Sequence, residues 1–429
     1  MKFRRLFSRL TVSAAMGLAL VAAPASAGQT AAPDRPVAGA AAPDRVRARM
    51  NQRVFDQIWT EVRRDYYDPR LHGVDWAAAR ATYRPQALAA TDDRSLYRAL
   101  NDMLGLLDDD HAGASAPAVA RRQDSLRRRR AVLGVTLFPE DGRNGRYIVE
   151  QVRTGSPAAE AGVLVGWRLE PFDGDGWTPE SDLVEGRPVT LALVDDAGQA
   201  RPLTLTPRQM DPVPLFTADR SRPGVVVLRV TAFEPGLGRW MGEQLADLPA
   251  GTDVVVDLRG NPGGRVVEAD AVLSCFLPAD RIWATRTART GRRVVMRTEG
   301  GCGALNAPVD NPVAVLVNAQ SRSAAELTPA ALQEARRALI VGEHTAGAVL
   351  ISQETSLPDG GRLNLSRADF VTAGGVRLEK RGVTPDLAAP TTAADRRAGR
   401  DPTLDAAVAA LAQGEVSVAR ASTAAAPAS

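Results

Sequence analysis

Four short runs of apolar, mostly β-branched residues limit what this 429-residue chain can fold into: Gly224–Val230, Thr252–Leu258, Pro312–Val317 and Ala338–Gly342. Runs without a polar face are strands buried on both sides, as in a parallel sheet covered by helices. Helices fit between them at Gly236–Leu248, Arg265–Phe276 and Ala324–Ala335, and a last one at Asp401–Leu411. Residues 209–412 therefore read as an α/β core.

The remaining chain divides by period. Val54, Ile58, Val62 and Tyr66 recur every four residues, and Asp92 or Asp93 can cap a helix carrying Leu96, Leu100, Met103, Leu104 and Leu107. A helical domain is expected over residues 45–130, with Arg121, Arg122 and Arg127–Arg130 as a solvated boundary rather than a binding patch. Residues 131–208 switch to short strands at Val132–Phe138, Tyr147–Val152, Val189–Val194 and Pro202–Leu205. Among them Ser156, Pro157 and Gly162 mark one turn of helix. Together with Leu133-Gly134-Val135 on the first strand, this region resembles a PDZ domain. There, backbone N–H groups capture a peptide's terminal carboxylate while the peptide adds a strand. The stretch 178–188, where the second, peptide-facing helix should lie, is short.

The ends speak to compartment. Lys2-Phe3-Arg4-Arg5, the apolar run Leu10–Ala23 and Ala25-Ser26-Ala27 form a secretory signal over residues 1–27, cut after Ala27; an uncleaved anchor is the alternative. Residues 28–44 read as a linker and 413–429 as a disordered tail. Removing the signal takes the formal charge from +3 to −1, which leaves no electrostatic footprint for nucleic acid and no stable membrane span. A periplasmic or secreted location makes a Cys275–Cys302 disulfide possible, two buried thiols being the alternative.

Chemistry concentrates where strands end. After Val313–Val317 comes Asn318-Ala319-Gln320-Ser321-Arg322-Ser323-Ala324-Ala325-Glu326, then a helix. A serine at such a turn projects its hydroxyl beside free N–H groups and the helix dipole. The same Ser323 and Glu326 also fit a capping box, so cap and nucleophile both stand on these residues alone. Asp257-Leu258-Arg259-Gly260-Asn261-Pro262-Gly263-Gly264 ends another buried strand, and its glycines let backbone N–H groups approach a ligand. Pro329, inside the helix after Ser323, should kink it.

In order, Asn261-Pro262-Gly263-Gly264, Ser321-Arg322-Ser323-Ala324-Ala325-Glu326 and Glu379-Lys380-Arg381-Gly382-Val383-Thr384-Pro385-Asp386 resemble the C-terminal processing (tail-specific) and tricorn-core family of serine proteases. The resemblance runs from about Val46 to Asp386 and implies a crotonase-like ββα spiral core with a helical leader and a PDZ-like insert. It implies that Ser323 is the nucleophile. The processing-protease branch would place its lysine at Ala348, and Lys380, the one lysine beyond Lys2, does not match that motif. The tricorn-like branch uses a histidine and a glutamate, at positions filled here by His111 and Glu379.

An imidazole has the pKa a serine's base needs, and it needs a carboxylate to orient it. The expected set is Ser323, His111 and Glu379, with Gly263 and Ala324 as oxyanion donors, Gly264 as the near alternative and Asp110 as an auxiliary of open role. His344 is the rival base, and His72 reads as surface. The implied activity is a periplasmic serine endopeptidase acting on protein or peptide substrates without metal or cofactor. Two alternatives remain: an inactive peptide-binding scaffold, and a protease using Lys380 in an atypical dyad.

Overall fold

The structure, a computed structural model, describes residues 44–124, 128–139, 146–170 and 182–414. The signal, the linker before Asp44, Arg127, the start of the 178–188 stretch and the tail beyond Gly414 lie outside the described residues. Among the described residues no helix is long and apolar enough to cross a membrane.

Helices α1 (Arg45–Asp65), α2 (Trp76–Ala89) and α3 (Asp93–Leu104) come first, followed by strand β1 (Gly113–Ser115) and helix α4 (Pro117–Asp124). Asp44, Asp75 and Asp92 cap the three long helices through their carboxylates. A β-rich segment follows: β2 (Arg130–Val132), β3 (Val135–Pro139), β4 (Tyr147–Val152), helix α5 (Pro157–Glu160), β5 (Arg168–Leu169), β6 (Val189–Val194), β7 (Ala200–Leu205) and β8 (Arg208–Met210). Strands β3 to β7 form one antiparallel sheet in sequence order, leaving β3 at its edge, and β2 pairs with β8. The expected strand Val132–Phe138 is thus two strands, broken at Leu133-Gly134. Gly134 adopts φ +87°, and a Cβ there would lie 2.1 Å from the Ser156 Cβ, so a residue with a side chain cannot continue the strand.

The core begins with β9 (Phe216–Asp219), β10 (Val225–Val230), α6 (Leu237–Leu245), β11 (Asp253–Asp257), α7 (Val266–Ser274), β12 (Ile282–Ala288) and β13 (Arg293–Arg297). It continues with β14 (Val313–Val317), α8 (Ala324–Glu334), β15 (Leu339–Gly342), β16 (Ile351–Ser356), β17 (Arg362–Thr372), β18 (Leu387–Ala388), α9 (Ala393–Arg397) and α10 (Pro402–Ala412). The four apolar runs are β10, β11, β14 and β15, central in a sheet ordered β18-β15-β14-β11-β10-β9 in which all but β9 run parallel. Helices α6, α7 and α8 cover one face and α10 the other, so both faces are apolar. Helix α8 runs unbroken through Pro329. Cys275 and Cys302 are joined in a buried disulfide with Cα atoms 5.0 Å apart, which closes the question left open by the spacing.

A second sheet ties the leader to the core. Strand β17 pairs with β12 and β16, and its start also pairs antiparallel with β1, Gly113 opposite Asn364 and Ser115 opposite Arg362. The helical segment shares its apolar core with this sheet, since Leu357, Leu363 and Leu365 pack among Phe55, Ile58, Tyr66, Leu100 and Leu104. Its arginines follow suit, with Arg367 of β17 bridging Glu61 and Asp65 at 3.3 and 2.7 Å. The β-rich segment, by contrast, has a small core of its own, built on Leu133, Val149, Leu169, Leu191 and Leu205. Leu363 is fully buried in the seam, so Leu363→Ala should cost about 2–5 kcal/mol in chemical denaturation. A loss under about 1 kcal/mol would mean that the seam is not shared.

Candidate active site

Strand β14 is buried at every position and delivers the chain to a tightly bonded turn. The Ser321 hydroxyl donates to the Leu258 carbonyl (2.9 Å), Gly260 N–H to Asn318 Oδ1 (2.9 Å) and Arg322 N–H to the Asn261 carbonyl (3.0 Å). The two strand-end motifs are therefore stitched together. Ser323 then takes φ +55°, ψ −119°, a conformation that costs a residue with a side chain roughly 1–3 kcal/mol and one that a capping serine does not need. Ser156, which does cap α5, has φ −94°, ψ 162°, and its hydroxyl accepts from Ala159 N–H. The Ser323 side chain makes no cap hydrogen bond. In place of a hydroxyl cap, Glu326 N–H donates to the Ser323 carbonyl (2.8 Å), while the Glu326 carboxylate accepts from Ser323 N–H as the capping box expects.

That carboxylate organises the surroundings. Glu326 is fully buried and accepts from Ser323 N–H (3.1 Å), the Thr345 hydroxyl (2.6 Å), Gly347 N–H (2.6 Å) and Ala348 N–H (2.9 Å). Ser323 N–H also donates to the Ala348 carbonyl at 2.7 Å. The position that would carry a lysine in the other branch thus lies against Ser323, filled by a buried alanine.

Gly263 packs so closely under Ser323 that a Cβ would fall 2.6 Å from the serine Cβ and 3.0 Å from Ala324 N. The expected donor Gly263 N–H is however occupied: it donates to Asn261 Oδ1 at 2.7 Å, an Asx turn that the Asn-Pro-Gly sequence favours. Among the described residues no acceptor takes the N–H of Ala324 or of Gly264.

His111 follows the short turn after α3. Its carbonyl accepts from Asn364 Nδ2 of β17 (2.8 Å) and its N–H donates to Asp109 Oδ1 (2.8 Å). Burial holds the imidazole below its ordinary pKa, aided by the charges of Arg322 and Lys380 and opposed by Asp109 and Asp110. Arg322, the neighbour of Ser323, and Lys380, the neighbour of Glu379, both bear on the His111 imidazole. Among the described residues no hydrogen bond joins the Ser323 hydroxyl to His111. His111 Nδ1 and Glu379 Oε1 are both buried without a partner.

Glu379 is 6% exposed, with Oε2 accepting from Val349 N–H at 2.8 Å. Desolvation, with Asp109 nearby, pushes its carboxyl up to about 7. Asp109, within the acidic run Asp108-Asp109-Asp110, is 2% exposed, and its Oδ2 is a further buried atom without a partner. Burial, with the charge of Asp109 beside it, also keeps the Tyr66 hydroxyl protonated.

Lys380 points the other way, to Asp108 (3.3 Å) and Asp110 (3.1 Å), which hold it charged above its ordinary range. Asp110 is thus engaged by Lys380, and Lys380 is a poor proton acceptor. His344 is exposed with Nδ1 against the Thr345 carbonyl (2.9 Å). His72 is exposed as expected, yet its ring nitrogens meet the Tyr67 hydroxyl and the Leu107 carbonyl, each at 2.7 Å. The carbonyls of Leu133 and Gly134 accept from Ala158 and Arg153 within their own segment.

Residues 224–389 match the model of peptidase family S41, and residues 48–105 match the tricorn protease C1 domain. The chain carries a peptidase family S41 domain and a tricorn protease C1 domain. The chain is 29% identical over 365 residues to carboxyl-terminal-processing peptidase 2, chloroplastic, of Arabidopsis thaliana, covering 79% of this chain and 68% of that one. It is also 29% identical over 337 residues to the carboxy-terminal-processing protease of Bartonella bacilliformis, covering 75% and 76%. Its fold is similar to that of the photosystem II D1 C-terminal processing protease, with TM-score 0.57 and 24% identity over 79% of this chain and 93% of the other. It is a serine-type peptidase.

The state of Glu379 has a measurable consequence. The folded peptidase keeps this proton up to about pH 7, whereas an unfolded glutamate releases it near 4.5, so stability falls as pH rises through that window. Glu379→Gln should flatten this fall in urea midpoints taken from pH 4.5 to 8. Parallel curves for wild type and variant would contradict a buried, proton-holding Glu379.

Proposed function

We propose that this peptidase is an exported serine endopeptidase that cleaves protein or peptide substrates through an acyl-enzyme, with Ser323 as nucleophile, His111 as base and Glu379 as its orienting carboxyl. The observation that carries this reading is the strained Ser323 at the end of a buried strand, with a half-buried imidazole of lowered pKa on the adjoining seam. His111 Nδ1 faces the protein interior, which leaves Nε2 for the hydroxyl. Nε2 takes the Ser323 proton as Oγ attacks the scissile carbonyl, then gives it to the departing amine. A water activated by the same nitrogen releases the acyl group and regenerates Ser323.

The free N–H groups of Ala324 and Gly264 are the oxyanion donors in this reading, while Gly263 supplies the close approach. Glu379 acts below about pH 7 as a neutral hydrogen-bonding partner and above it as a carboxylate that stabilises the imidazolium. Residues 45–130 then act as a leader carrying the base, residues 131–208 as a PDZ-like insert engaging substrate tails, and residues 209–412 as a crotonase-like protease core. The buried Cys275–Cys302 disulfide and the signal-like residues 1–27 support a periplasmic or secreted site of action.

A fluorophosphonate probe should label the wild type and lose at least about a hundredfold in labelling rate in Ser323→Ala and in His111→Ala. Lys380→Ala should stay within a few-fold. Labelling that persists in Ser323→Ala removes the nucleophile. Loss in Lys380→Ala with retention in His111→Ala transfers the base to the lysine. Peptide binding with no labelling in any form would favour a scaffold.

A further inference from the structure

Arg322 is unlike the other cations around the site. Lys380 is held by Asp108 and Asp110, Arg377 by Asp369, and Arg367 by Glu61 and Asp65. Among the described residues no carboxylate pairs with Arg322, and its Nε is buried without a partner. Its backbone is fixed by the bond to Asn261, so the side chain leaves from a rigid turn immediately before Ser323. The guanidinium carbon lies 5.6 Å from the ring centroid of Phe138, on edge strand β3, which has β4 as its partner among the described residues. Through this contact Arg322 links edge strand β3 to the turn that carries Ser323.

We infer that Arg322 is a specificity-determining residue that receives a carboxylate of the substrate, either an acidic side chain near the scissile bond or the free C-terminus. A guanidinium with an unsatisfied buried N–H, an aromatic ring beside it and no counter-ion among the described residues presents a planar fork that a carboxylate can occupy with two hydrogen bonds. Its seat beside the base adds a second effect. The charged groups bearing on His111 are Asp109 and Asp110 from its own loop, Arg322 from the turn after β14 and Lys380 from the turn after β17. A substrate carboxylate on Arg322 cancels one of the two positive charges, so an acidic substrate makes the imidazole a stronger base as it binds.

This inference rests on the proposed Ser323 site, so the test separates binding from turnover. Affinities are measured by fluorescence anisotropy on full-length Ser323→Ala, using one peptide scaffold made with Glu or Gln at each position near its end and with a free or amidated C-terminus. A carboxylate-bearing peptide should bind about 10- to 100-fold more tightly than its neutral counterpart. That preference should vanish in Ser323→Ala/Arg322→Gln and survive in part in Ser323→Ala/Arg322→Lys.

Sensitivity to Glu→Gln alone identifies a side chain as the occupant, and sensitivity to amidation alone identifies the C-terminus. Equal affinities throughout, or a preference that outlasts Arg322→Gln, overturn the inference. In otherwise wild-type protein, Arg322→Gln should also move the acid limb of kcat/KM to higher pH, a change that a packing role against Phe138 would not produce. A binding preference without turnover would sink the hydrolytic reading and leave the carboxylate subsite standing.

Discussion

The pairing of β1 with the start of β17 is the interaction on which the site depends. Three residues of the leader, Gly113–Ser115, join the second sheet of the core, and Asn364 of β17 reaches back to the His111 carbonyl across 253 positions of chain. Two or three ladder hydrogen bonds cannot hold so distant a segment against the entropy of closing the loop. The shared apolar core can, because Leu357, Leu363 and Leu365 bury themselves among the leader's helices. The helices thus do more than precede the protease core; they complete its second sheet and carry the imidazole with them.

What this seam assembles is costly by design. Asp108, Ser323 and Lys380 all adopt positive φ, and Tyr66, Asp109, His111 and Glu379 each keep a buried polar atom without a partner. Such strain and such orphaned groups survive only where the surrounding packing over-determines them. The fully buried β14 and the four donors around Glu326 provide that packing. The same low-polarity surroundings keep His111 neutral and Glu379 protonated toward pH 7, one burial effect acting in opposite directions on a base and an acid.

The parallel sheet was plain in the sequence because strands buried on both faces leave uninterrupted β-branched runs, and their ends fell within a residue of β10, β11, β14 and β15. The second sheet was not. Ile351–Ser356 is largely polar and reads as loop, and the alternation along Arg362–Thr372 marks a strand without naming β1, β12 and β16 as its partners. Ser323 and Glu326 were visible as a motif, but only the backbone angle separates cap from strained turn. The occupied Gly263 N–H was legible in retrospect, since Asn261 two residues ahead is the usual acceptor for such a turn. Asp109 carried no signal within Asp108-Asp109-Asp110, where burial alone distinguishes it from its neighbours. Glu379 and Lys380 divide between interior and surface as adjacent side chains should, although they do so in a turn rather than in a strand.

The most direct measurement is an experimental structure of the wild-type protein after reaction with a phosphonate. A phosphonyl group on Ser323 Oγ, with His111 Nε2 within about 2.6–3.2 Å of an oxygen of the adduct, is the arrangement this account requires. An adduct on another residue, or on Ser323 with Lys380 or His344 at that distance and His111 turned away, would contradict it.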